Sequence, residues 1–176
     1  SWPWEVHVLK SETLNAYCTG QGKIMFYTGI VEKLALNDEE IAAIMGHEMA
    51  HALREHVREQ MSQNYAQNMV ISVGASALGL GQLGTQVAGK VSEVVISLPF
   101  GRSHETEADL MGLELMARAG YNPQASVSVW KKMKAHSKGG EPMEFLSTHP
   151  SHENRITDLE KELPKAQELY AQTQKR

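Results

Sequence analysis

The chain has 176 residues, of which 41% are hydrophobic and 22% are charged, and its formal net charge is −4. This length suits one domain over residues 1–176, and the composition provides a hydrophobic core and excludes a disordered chain. The basic residues are scattered apart from one cluster at 131–134, so no nucleic-acid partner is predicted.

The first part of the chain predicts a small antiparallel sheet within about 5–30. Segments 6–9, 14–19 and 23–28 are rich in β-branched and aromatic residues. The Gly-Gln-Gly sequence at 20–22 is typical of a hairpin turn between the last two segments.

One edge of this sheet is a candidate binding site for a polypeptide substrate. An extended peptide can join a sheet edge as an added strand through main-chain hydrogen bonds. We predict this edge at Asn15, Ala16, Tyr17 and Cys18, although Asn15 can equally be an ordinary turn residue. Cys18 is the only cysteine, which excludes an internal disulfide, and we predict that it packs as a small hydrophobe rather than acting as a nucleophile.

A helix is predicted over about 38–60. Asn37 can cap it, and Glu40 lies three residues later, as in a capping box. The apolar residues that follow form a stripe that buries the helix, and Gly46 is expected to permit close packing.

This helix carries the sequence His47-Glu48-Met49-Ala50-His51, the HExxH signature of zinc peptidases. Side chains four residues apart share a helix face, so His47 and His51 can bind one metal ion. Glu48 lies beside that ion and can take a proton from a zinc-bound water that attacks a carbonyl carbon. The alternative is a pair of buried histidines next to a surface glutamate.

Residues 60–89 carry no charged side chain. Amide side chains and glycines interrupt the segment, so a membrane span is not predicted. We expect two helices joined at about 79–84 that pack on the core. The alternative is a lid within 67–98 or a loop that touches a membrane.

A catalytic zinc usually needs a third protein ligand. A helix predicted over about 103–119 begins with Glu105, Glu107 and Asp109. Spacing favours Glu105 as that ligand, because Asp109, one turn later, could accept a hydrogen bond from a ligand imidazole. Glu107 would then point away and be solvated. The alternative is that all three acids only complement the helix dipole.

Two more helices are predicted, over about 122–136 and 152–170, and the step His149-Pro150 before the second is extended. We expect the remaining histidines to be surface residues. His56, in particular, should point away from the metal face, because it lies five residues past His51 on the predicted helix. These histidines are His7, His56, His104, His136 and His152.

The sequence resembles the zinc metallopeptidase family of the CAAX prenyl protease and HtpX, and most of all its periplasmic BepA- and LoiP-like members. The resemblance covers nearly the whole chain. It rests on Asn15-Ala16-Tyr17, on His47 to His51, on Arg102 to Asp109, which matches the pattern RxxExEAD, and on Thr148-His149-Pro150-Ser151 followed by Arg155-Ile156.

This resemblance implies a zincin-like (gluzincin) α+β fold, mainly helical with a small sheet, and one Zn²⁺ per chain. It supports Glu105 as the third ligand and Asp109 as the hydrogen-bond partner behind a ligand. It also implies that His149 stabilises the oxyanion formed during peptide hydrolysis, and that Arg155 orients this group or contacts substrate.

The family further implies a zinc endopeptidase of cell-envelope quality control that degrades misfolded outer-membrane proteins in the periplasm, near the membrane through an anchor or loop. The sequence opens at Ser1 without a signal peptide, and we expect a targeting segment to have been removed. The competing hypothesis is an assembly factor that binds unfolded strands, with weak or gated proteolysis. A purely structural zinc site is disfavoured, because such sites are normally closed by four ligands and rich in cysteine.

Overall fold

The computed structural model describes residues 2–19, 21–77, 99–140, 143–152 and 154–175. Three short strands pack against a helical body, so the α+β class predicted above is confirmed. The elements are β1 (Glu5–Leu9), β2 (Ala16–Cys18), β3 (Lys23–Tyr27), α1 (Thr28–Lys33), α2 (Asp38–Leu53), α3 (His56–Ala77), α4 (Arg102–Arg118), α5 (Gln124–Lys138), α6 (Glu144–Thr148) and α7 (Arg155–Thr173).

The sheet is mixed rather than purely antiparallel. Its strand order is β1-β3-β2, with β2 antiparallel to β3 as the hairpin predicts. However, β1 is parallel to β3, and His7 lies opposite Met25. Parallel neighbours need a crossover connection, and the segment containing β2 provides it by passing to the far side of β3. The prediction assumed that consecutive strands are neighbours, and this was wrong for β1.

Alternation along β2 and β3 decides which side of the sheet joins the core. Ala16 and Cys18 of β2 are buried, as are Ile24 and Phe26 of β3. Side chains two residues apart lie on one face of a strand. These four side chains belong to the hydrophobic core cluster that also includes Ile44 of α2, so the sheet packs on the helix that carries HExxH.

The start of α2 is as predicted, but its end is not. The Asn37 side chain accepts a hydrogen bond from the Glu40 amide at 2.9 Å, and the Asn37 amide donates to the Glu40 carboxylate at 3.1 Å. The helix stops at Leu53 rather than near residue 60. Glu55 has a φ of 56°. This left-handed conformation turns the chain, and α3 starts in a new direction at His56.

Two glycines allow α2 and α4 to cross closely. A Cβ on Gly46 would lie 2.7 Å from the Gly112 carbonyl oxygen, and a Cβ on Gly112 would lie 2.7 Å from the His47 amide nitrogen. Both distances are far shorter than a carbon atom tolerates, so the crossing requires glycine in both helices. The expectation that Gly46 permits close packing is confirmed.

The predicted helices differ from the observed ones mainly at their ends, and the short helices α1 and α6 were not predicted. Within the segment predicted as two helices, α3 is the first, whereas the elbow at 79–84, the second helix and most of the candidate lid lie outside the described residues. Among the described helices, none is both long enough and apolar enough to cross a membrane. The helix predicted to begin near residue 152 begins at Arg155.

Candidate metal centre

Four buried side chains from three separate elements converge beside the crossing of α2 and α4. His47 and His51 come from α2, Glu105 comes from the first turn of α4, and His149 follows α6. One potential ligand atom of each lies within 4.8 Å of all the others. The structure therefore brings the three predicted ligands together and adds the predicted oxyanion group, His149, to the same cluster.

The separations between these atoms suit a small tetrahedral ion. The Nε2 atoms of His47 and His51 are 3.1 Å apart, and Glu105 Oε1 is 3.2 Å from His51 Nε2. His149 Nδ1 is 3.2 Å from His47 Nε2 and 3.0 Å from Glu105 Oε1. Ligands about 2.0–2.1 Å from a tetrahedral zinc lie about 3.3 Å from each other. Imidazole nitrogens with one carboxylate are also a donor set that zinc prefers, so the residues fit the ion.

Two of the four side chains, His51 and Glu105, are in the protonation state that metal binding requires. Burial lowers the pKa of His51 well below its ordinary value, which keeps this imidazole neutral. Burial alone would raise the pKa of Glu105, but hydrogen bonds from His149 and His51 outweigh it and hold that pKa far below the usual range. A metal ligand must be deprotonated, so both groups are ready to bind.

Asp109 and Arg155 contact the candidate ligands His47 and Glu105 and hold them in place. Asp109 Oδ1 lies 3.0 Å from His47 Nδ1, which leaves His47 Nε2 free to face the ion. Arg155 donates to Glu105 Oε2 at 2.6 Å and to Asp109 Oδ1 at 2.7 Å. Its guanidinium also lies 3.4 Å from the centre of the Trp130 ring. Trp130 lies on the helix predicted over about 122–136, but nothing in the local sequence pattern shows that its ring faces a cation.

Glu48 lies next to the four-residue cluster and is almost fully buried. Its Oε2 accepts a hydrogen bond from the Cys18 amide at 3.0 Å, and its Oε1 is 3.3 Å from His149 Nε2. Burial raises the pKa of Glu48 more than the neighbouring histidines lower it. A carboxylate with a raised pKa is a better proton acceptor near neutral pH than an ordinary one.

The carboxylates of Glu48 and Glu105 change the pKa of His149. Burial alone would lower the pKa of its imidazole, but the charges of Glu48 and Glu105 outweigh burial and raise it. Because its Nδ1 faces Glu105 and its Nε2 faces Glu48, His149 can donate to either carboxylate. The same ring could therefore act as a hydrogen-bond donor or, after losing a proton, as a fourth ligand.

The predicted substrate edge is β2, which lies at one side of the sheet. The amide of Tyr27 in β3 donates to the Asn15 carbonyl. By alternation, the main-chain groups of Ala16 and Cys18 therefore point away from β3. The Cys18 amide is held by Glu48, and Phe145 of α6 donates to the Leu14 carbonyl at 3.0 Å on the same side. A substrate strand would have to exchange these contacts.

The prediction that His56 lies on the surface was wrong. His56 is only 1% exposed, and its Nδ1 lies 3.1 Å from Nδ1 of His51. The prediction assumed one continuous helix, but the turn at Glu55 brings His56 back toward the cluster. Glu107, expected to be solvated, is 40% exposed and pairs with His56 and Arg54.

The other histidines lie away from the four-residue cluster. His7 is exposed, as predicted, and pairs with Glu5. His104 is half-buried, and its ring stacks on His56 with 4.5 Å between the ring centres. His136 and His152 are also half-buried rather than fully exposed.

Known proteins are similar to this chain over most of its length. Peptidase family M48 matches residues 1–163. The mitochondrial metalloendopeptidase OMA1 of Schizosaccharomyces pombe is 34% identical over 93% of this chain and 48% of its own length, and OMA1 of Saccharomyces cerevisiae is 36% identical over 97% and 50%. Metalloprotease LoiP of Escherichia coli is 28% identical over 89% of this chain and 62% of its own. The chain thus spans about half the length of these two OMA1 proteins.

Proposed function

Because the chain belongs to peptidase family M48, we propose that it is the catalytic domain of a zinc-dependent endopeptidase. The observation that carries this proposal is the placement of Glu48, a buried carboxylate with a raised pKa, beside a set of zinc-type donors. A site that only stabilised the fold would need the donors but no such carboxylate.

Each residue of the site has its own role in the proposed reaction. His47, His51 and Glu105 would hold the ion, which when bound polarises the scissile carbonyl and makes water more acidic. Glu48 accepts a proton from the attacking water and later delivers it to the leaving amine. His149, whose Nε2 lies 3.3 Å from Glu48, donates a hydrogen bond to the oxyanion of the substrate. Asp109 and Arg155 keep the ligands in place.

Metal content and hydrolysis, measured on the same samples, test this proposal. Wild type should hold about one zinc per chain and cleave casein until a chelator is added. His47→Ala and Glu105→Ala should lose the metal. The matched control is Glu114→Ala, because Glu114 lies on the same helix as Glu105 but pairs with Arg118 at the surface. Absence of metal from freshly purified wild type would contradict the proposal.

A structural zinc site is the second candidate, and one observation favours it. With His149 included, four protein atoms could surround the ion, which is the usual number in structural sites. Glu48→Gln separates the two functions. This variant should keep its zinc under both, but under the peptidase proposal alone it should lose casein hydrolysis by at least about a hundredfold.

For the biological role we propose removal of misfolded or misassembled envelope proteins that bind as extended strands along Asn15–Cys18. The resemblance to BepA- and LoiP-like proteins supports the bacterial envelope, whereas OMA1 relatives carry a mitochondrial name. Fractionation of cells that carry the natural gene would test the location.

The alternative is an assembly factor that binds unfolded strands, and the Glu48→Gln protein tests it in such cells. If this protein still assists outer-membrane protein assembly, the alternative gains support. If assistance is lost, hydrolysis is the function.

A further inference from the structure

A chain of hydrogen-bonding side chains leads from the candidate ligand His51 to the protein surface. His51 Nδ1 lies 3.1 Å from His56 Nδ1, and His56 Nε2 lies 2.9 Å from Glu107 Oε2. Glu107 in turn pairs with Arg54. His51 and His56 are 2% and 1% exposed, whereas the Glu107 side chain is 40% exposed.

Only one arrangement of protons satisfies this chain when both imidazoles are neutral. The Glu107 carboxylate accepts, so His56 must carry its proton on Nε2. His56 Nδ1 then has a lone pair, which can accept a proton donated by His51 Nδ1. His51 is left with a lone pair on Nε2, the atom that faces His47 and Glu105.

We propose that His56 is a positioning residue for His51, fixing its tautomer and ring orientation so that Nε2 is presented to the metal. This inference rests on the proposed zinc function. His56 would do for His51 what Asp109 does for His47, whose Nδ1 lies 3.0 Å from the Asp109 carboxylate. The two ligands of α2 thus have different supports, one a carboxylate and the other an imidazole backed by a carboxylate.

The surroundings of His56 hold its ring in this orientation. The turn at Glu55 sets the start of α3, and the His104 ring stacks on the His56 ring with an angle of 22° between the planes. The Phe100 ring packs against His51, with 4.1 Å between the ring centres. Both imidazoles are therefore fixed by packing as well as by hydrogen bonds.

Zinc affinity, measured by competition with a chromogenic chelator, tests the proposal. His56→Phe keeps a ring of similar shape but removes the acceptor, and it should weaken zinc binding about 10- to 100-fold, the usual effect of losing a partner behind a ligand. His56→Asn should recover most of this loss, because its amide oxygen can accept in place of Nδ1. The matched control, His104→Phe, replaces the neighbouring imidazole with a ring that can still stack on His56, and it should change affinity less than about threefold.

The outcome that overturns the proposal is a His56→Phe variant that is folded by circular dichroism and binds zinc within about threefold of wild type. If that variant does not fold, nitrogen-15 NMR of histidine-labelled, zinc-loaded wild type decides, because the proposal requires the proton of His56 on Nε2. A proton on Nδ1 would overturn it. Failure of wild type itself to bind zinc would instead overturn the proposed function.

Discussion

The thiol of Cys18 lies on the buried side of β2, next to the carboxylate of Glu48. Burial, aided by the charge of Glu48, raises the pKa of Cys18 to about 12. A thiol reacts as its thiolate, and at pH 8, which is four units below that pKa, only about one molecule in ten thousand is ionised. Cys18 should therefore be inert, as a packing residue is.

We expect native protein at pH 8 to resist iodoacetamide, with alkylation slowed at least about a hundredfold relative to protein unfolded in urea. Intact-mass spectrometry over a time course measures both rates. The urea sample is the control, because the unfolded chain gives the thiol its ordinary pKa. Equal rates in the two samples would show that Cys18 is exposed and ionisable.

At the scale of single residues, helical geometry decided which positions could be predicted. His47, Glu48 and His51 lie within one turn of α2, so their relative directions follow from the pitch of a helix. The position of His56 depends on the backbone of Glu55, whose φ of 56° the local sequence does not specify. Trp130 meets Arg155 only after α5 and α7 have packed together, so its role could not be read from either segment alone.

Among the elements, α2 is held at its first turn by more than its capping box. The Glu40 carboxylate accepts a hydrogen bond from Ser128 at 2.6 Å and from Lys132 at 2.6 Å, which ties α2 to α5. Burial alone would raise the pKa of Glu40, but these partners and Asn37 outweigh it and lower that pKa. Glu40 therefore stabilises the fold more when it is ionised than when it is protonated.

We expect Glu40→Gln to lower the free energy of unfolding by about 1–2 kcal/mol at pH 7, the lower end allowing for partial exposure of Lys132. Because the pKa in the folded state is the lower one, this stabilisation is present above the ordinary pKa of glutamate and is lost as the pH falls through the folded value. Urea unfolding at pH 7 and in acid measures it. Asp38→Asn, in the same turn, is the control and should cost less than about 1 kcal/mol. A difference that grew in acid would contradict the assignment.

The crossing of α2 and α4 depends on Gly112. The atoms that a Cβ on Gly112 would meet are backbone atoms of Gly46 and His47, which cannot move aside without shifting a helix. We expect Gly112→Ala to destabilise the protein by about 1–3 kcal/mol, despite the better helix propensity of alanine. Zinc affinity should fall as well, because Glu105 and Asp109 move with α4.

Thermal unfolding and zinc competition measure these two effects. Gly74→Ala is the matched control, since among the described residues nothing lies within 4 Å of its added carbon. That variant should keep wild-type zinc affinity and gain up to about 1 kcal/mol from helix propensity. If Gly112→Ala behaved like Gly74→Ala, the close crossing would not be required.

The elements themselves were easier to predict than their arrangement. Capping residues marked the start of α2, and apolar spacing marked the other long helices, whereas the short helices α1 and α6 were not predicted. The parallel pairing of β1 with β3 depends on where the chain crosses the sheet, for which residues 10–15 carry no signal. Likewise, a catalytic zinc needs a third ligand besides the two histidines of HExxH. Only the packing of α4 on α2 brings the Glu105 carboxylate within 3.2 Å of His51 Nε2.

For the whole molecule, the proposed ion joins elements that are distant in sequence. Its proposed ligands lie on α2 and α4, so binding should stabilise the assembled fold. A ligand at a thousand times its dissociation constant adds about 4 kcal/mol, which is about 8–16 °C in melting temperature for a domain of this size.

We therefore expect a chelator to lower the melting temperature of zinc-loaded protein by several degrees, and added zinc to restore it. Differential scanning calorimetry measures the change. His51→Ala is the control, because without this ligand the response to chelator should be small. If neither chelator nor zinc changed the melting temperature of the wild type, no metal would connect these helices.

The position of Arg155 has a consequence for protein synthesis. Its guanidinium is the cation that Glu105 and Asp109 share, yet it lies on α7, whereas the first ligand, His47, lies on α2. A ribosome therefore completes HExxH long before it reaches the residue that neutralises the two acids. A nascent chain that ends before Arg155 would have to bury both carboxylates without their cation, which costs several kcal/mol. We therefore expect the site to assemble only after Arg155 has been added to the chain.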